Sequence, residues 1–138
     1  MQIRLKYEAL NEERTYTAKQ ARMLLNQVKA KLRAVSLAAE RRVKNDMPVD
    51  TGRARASWSH WSPGDIRKGG SGASAADAHY KETDGGLTIE QGSNVEYIEA
   101  LNDGSSAQAP AGFIDSAEEN AGQVLEREID EVIRGFTV

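Results

Sequence analysis

An apolar stripe about seven turns long most constrains what this chain can become. Ala21, Leu24, Leu25, Val28, Leu32, Val35, Ala39 and Val43 recur at three- and four-residue steps, which predicts one continuous amphipathic helix. Thr17 and Gln20 stand at capping-box spacing before it, so a hydroxyl and a side-chain amide can satisfy its first backbone donors. Pro48 is the stop, because it disfavours helical geometry at Met47 and has no N–H to extend the ladder. A helix of that length with only one apolar face needs a second layer to cover it.

The remaining chain offers material for that layer. Ile3, Leu5 and Tyr7 alternate with polar neighbours, as in a short strand, although an unpaired arm fits the same pattern. After Pro48, the residues "PVDTG" carry turn chemistry: Asp50 can accept from nearby backbone and Gly52 can take positive φ. Ala54, Ala56, Trp58 and His60 then alternate with Arg53, Arg55, Ser57, Ser59 and Trp61, which predicts a strand with Trp58 on its buried face. Ser62 to Gly86 is rich in Gly, Ser, Ala and Asp, so residues 63–85 are expected as a long flexible loop. "GLTIEQG", Gly86 to Gly92, reads as the returning strand. "NVEYIEAL" is a short helix or a further strand edge, with Val95, Ile98 and Leu101 favouring the helix. Ala117, Ala121, Val124, Leu125, Ile129, Val132, Ile133 and Phe136 outline a closing helix, with Ser116 and Glu119 as its capping box and Gly135 as its end. The expectation is a single α+β domain spanning 1–138, with long N-terminal and C-terminal helices packed on a small antiparallel sheet.

Charge is unevenly spread. The net charge is -3, yet Arg14 to Asp46 holds nine Lys and Arg against Glu40 and Asp46, and Phe113 to Val138 holds seven acids against Arg127 and Arg134. The two segments can answer one another within a chain or between copies, or the cations can meet nucleic acid. Lys29, Arg33, Arg41, Arg42 and Lys44 would form the nucleic-acid surface, but no aromatics are interleaved with them, and a solvated face paired with acids is the preferred reading.

Chemistry-bearing motifs are absent. There is no cysteine, so disulfides and thiolate metal sites are excluded. His60 and His79 are the only histidines; neither is at ligand spacing, and His60 is expected beside Trp58 and His79 in the loop. "RKGGSG" at Arg67 to Gly72 lacks the GK[ST] ending of a phosphate loop, and no serine sits in a G-x-S-x-G turn. Glu96 and Glu99 read as the solvated side of a short helix. No cofactor, metal or enzymatic activity is implied. The N-terminus lacks the apolar core of a signal peptide, and nothing approaches the roughly 20 apolar residues that span a bilayer, so folding in cytosol without membrane contact is expected.

Two stretches together resemble a known group: "PVDTGRARASW" after the long helix and "YIEALNDGSSAQAPAGF" before the last one. They are similar to the neck and tail-completion proteins of tailed bacteriophages, the group of HK97 gp10-like and lambda minor tail protein Z-like chains. The similarity covers nearly the whole length. It rests on Pro48, Val49, Asp50, Thr51, Gly52, Arg53 and Trp58 in the first stretch. In the second it rests on Tyr97, Leu101, Asn102, Asp103, Gly104, Gln108, Ala109, Pro110, Ala111, Gly112 and Phe113. The insert around Gly69 to Ala78 departs from the group. The resemblance implies a non-enzymatic virion protein of the head–tail junction, present in host cytoplasm during assembly. Its implied partners are copies of itself in a ring, a connector or head-closure protein, and a tail terminator or tail tube protein, with DNA passing through the ring. A tail terminator or head-closure protein of the same junction is the neighbouring alternative, and a small nucleic-acid-binding module using the basic helix is the more distant one.

Overall fold

The computed structural model describes residues 1–7, 16–48, 52–58 and 75–136. In chain order the elements are β1 (Gln2–Lys6), α1 (Ala18–Asp46), α2 (Arg53–Ser57), β2 (Ala78–Thr83), β3 (Thr88–Ser93), α3 (Ile98–Asn102) and α4 (Phe113–Gly135). Single 3-10 turns at Ala75–Asp77 and Asp84–Gly86 flank β2. The strands form one antiparallel sheet in the order β1-β3-β2. This is the expected α+β arrangement of two long helices on a small sheet.

The long helix begins as its sequence dictates. Thr17 Oγ1 accepts from the Gln20 amide at 3.2 Å and Gln20 Oε1 accepts from the Thr17 amide at 2.9 Å, completing the capping box. It ends at Asp46, with Met47 extended before Pro48. Leu24, Val28, Leu32, Val35, Ala39 and Val43 are all buried, against Ile3 and Leu5 of β1, Ile89 of β3 and the apolar side of α4. α1 and α4 pack on each other, with Lys31 Nζ 3.1 Å from Glu128 Oε2 across the seam. Part of the basic-against-acidic asymmetry is therefore met inside one chain.

Two expected elements differ. Residues 53–57 form a helical turn, not a strand: Gly52 enters in the left-handed region and its carbonyl accepts from the Ala56 amide at 2.9 Å. Burial falls on Ala54, Ser57 and Trp58, a helical interval that overrides the alternation of arginine and alanine. Ser59, His60 and Trp61 lie outside the described residues. The second difference is β2, which occupies 78–83 inside the expected loop and carries His79 on a strand; residues 63–74 of that loop are outside the described residues. Pairing with β3 accounts for it. Ala78 to Thr83 lie opposite Ser93 to Thr88, and Asp84, Gly85 and Gly86 all take positive φ to close the hairpin.

A polar hub lies in the interior. Gln91 points from β3 into the core at 1% exposure. Its Nε2 donates to the Ser36 carbonyl at 2.6 Å and to Ser36 Oγ at 2.8 Å, and its Oε1 accepts from Trp58 Nε1 at 2.7 Å. One amide thus ties α1, β3 and the end of α2 together. Beside it, Ser57 Oγ is 2.6 Å from both the Ala54 carbonyl and Ser93 Oγ, while Ser93 Oγ accepts from the Val95 amide at 3.0 Å. Proton counting assigns the Ser57 hydroxyl to the Ala54 carbonyl and the Ser93 hydroxyl to Ser57 Oγ.

Replacing Trp58 with Phe keeps much of the aromatic volume but leaves Gln91 Oε1 buried without a donor. Trp58→Phe is expected to destabilise the fold by about 1–3 kcal/mol in equilibrium denaturation.

Candidate interface built on two turn motifs

The two sequence motifs meet in space at Arg53. This first residue of α2 aims its guanidinium at the turn before β2, with Nη2 2.9 Å from Asp77 Oδ1 and Nε 3.1 Å from Asp77 Oδ2. Nη1 reaches Glu96 Oε1 at 3.0 Å, and the guanidinium carbon lies 6.0 Å from the Tyr97 ring centroid. The forked contact suits a planar cation, which matches a carboxylate with two parallel hydrogen bonds. Asp77 above all, and then Glu96, hold the guanidinium further toward its charged form than usual. Glu96 is pulled below the ordinary carboxylate range by its own backbone amide and then by Arg53. On the far side of β2, burial and then the hydrogen bond to Glu82 push the Tyr80 phenol up.

The second motif is organised by Asn102, which is 3% exposed at the end of α3. α4 starts one turn earlier than Ser116 and Glu119 predict, at Phe113, so that Ser116 lies within the helix and donates to the Gly112 carbonyl at 2.8 Å. Gly112 stands at the cap with φ 75°, a conformation that explains a glycine there, and it offers no side chain. Asn102 replaces the missing cap from ten residues upstream. Its Oδ1 accepts from the Ile114 amide at 2.9 Å, its Nδ2 donates to Asp115 Oδ2 at 2.8 Å, and its carbonyl accepts from the Gly112 amide.

These contacts sort the expected interface residues. Pro48, Trp58, Asn102, Ala109 and Phe113 are buried; Gly52, Arg53, Tyr97, Leu101 and Gly112 are half-buried. Val49, Asp50 and Thr51 lie outside the described residues. Asp103, Gly104, Gln108, Pro110 and Ala111 are exposed on the turn between α3 and α4. Gly104 fits that turn with φ 96°, and a Cβ on it would crowd Ala111. Most of the motif is therefore internal bracing, and its outer part is one stiffened turn. Sequence reasoning missed the remote cap, since an Asn ten residues before a helix has no local signal. It also missed His79 beside a carboxylate: Nε2 lies 3.2 Å from Glu90 Oε2 across the β2–β3 pair.

A second surface feature lies between β1 and α4. A groove of about 480 Å³ is lined by Leu5 and Tyr7 on one wall and Leu125 and Ile129 on the other, with Gly122 at its opening. Arg4 and Lys6 edge the β1 side and Glu126 the α4 side. The Arg4 amide, on the open edge of the sheet, donates to Glu118 Oε2 at 3.2 Å. Among the described residues no three His, Asp or Glu side chains gather as a metal set, and no helix is long and apolar enough to cross a membrane. Comparison of the chain with protein-family models, with curated proteins and with solved structures finds no match.

Asn102→Ala removes a helix cap and leaves the buried Ile114 N–H without its acceptor. A loss of about 2 kcal/mol is expected by chemical denaturation, with α4 amides showing the largest gain in hydrogen exchange.

Proposed function

We propose that the chain is a structural subunit of the head–tail junction of a tailed bacteriophage: a neck or tail-completion protein that assembles as a ring and joins connector proteins to the tail. The observation that carries this reading is the convergence on Arg53, where the "PVDTGRARASW" stretch meets Tyr97, the first residue of the "YIEALNDGSSAQAPAGF" stretch, and Glu96 immediately before it. Two motifs that resemble one family at the sequence level are here parts of a single brace. The exposed turn at 103–111, held from behind by Asn102, supplies a surface of fixed shape for docking onto an unlike protein. In this reading the protein ends in the virion at the head–tail junction after assembly in host cytoplasm, and a tail terminator or head-closure role uses the same features.

Deleting its gene from the parent phage should leave DNA-filled heads and detached tails in electron micrographs of lysates, with complementation restoring joined particles. Infectious, intact virions from the deletion would remove the proposal.

One observation favours a second reading. The acids of α1 are only Glu40, which is buried, and Asp46, which is half-buried, whereas Lys19, Arg22, Arg33, Arg41 and Arg42 are exposed. A cation-only helix surface can hold a phosphate backbone. If it does, a gel shift with duplex DNA should appear at low ionic strength and fade steeply as salt rises; no shift at the lowest salt discards this reading.

A further inference from the structure

We draw no further inference here: the strongest candidate, the ridge of exposed apolar side chains from Met23 to Leu37 on the outward side of α1, carries cations on both flanks, Arg22 on one and Arg42 on the other, and nothing in the structure shows what covers it.

Discussion

The buried carboxamide of Gln91 is the contact on which the rest of the architecture depends. A sheet of three short strands has too little inner face to specify how a helix of 29 residues lies across it. Apolar packing alone favours burial without choosing one register, and a polar group sunk in the core changes that, because it must be satisfied in one geometry. Gln91 uses its oxygen on Trp58 and both amide hydrogens on Ser36. Sliding α1 by one turn would strand that amide, so the helix, the middle strand and the Trp58 corner are fixed relative to one another.

From that fixed corner the motif residues extend outward. Trp58 anchors the end of α2, α2 presents Arg53, and Arg53 holds the turn before β2 and the start of the second motif. Asn102 then carries the order into α4 by capping it at a distance. The residues that suggested an interface are therefore mostly buried or paired. Their service to any docking surface is indirect: they hold Asp103 to Ala111 in one shape.

The long helices were legible because each carries its own information. The stripe from Leu24 to Val43, the Thr17–Gln20 box and Pro48 are local signals, and the structure keeps all three. The elements misjudged were those decided elsewhere. Arg53 to Ser57 alternates like a strand, but Gly52 turns the chain and Ala54, Ser57 and Trp58 find burial at helical spacing. Burial along Ala78 to Thr83 does not alternate, so the strand is decided by its pairing with β3, and the local signal of the Asp84-Gly85-Gly86 hairpin turn was masked by the glycine-rich composition just before it. The start of α4 was misplaced because its cap comes from Asn102, whose role depends on tertiary folding alone. Of the surface, the charge asymmetry was readable, but the Met23–Leu37 ridge was not, since only burial of the opposite stripe reveals which apolar residues are left over.

The hydrogen bond from the Arg4 amide to Glu118 bears on how such a chain avoids edge-to-edge pairing with other chains. β1 is one of the two outer strands of the sheet, β2 being the other, and an uncovered outer strand is a template onto which another chain can add itself without limit. Here a carboxylate from α4 occupies the middle donor of that edge, and an incoming strand would have to displace it and then face a fixed negative charge. The latch belongs to the same helix that forms the groove wall. A single element thus lines the groove and blocks strand addition at one of the two sheet edges, so that unlimited pairing would have to begin at β2.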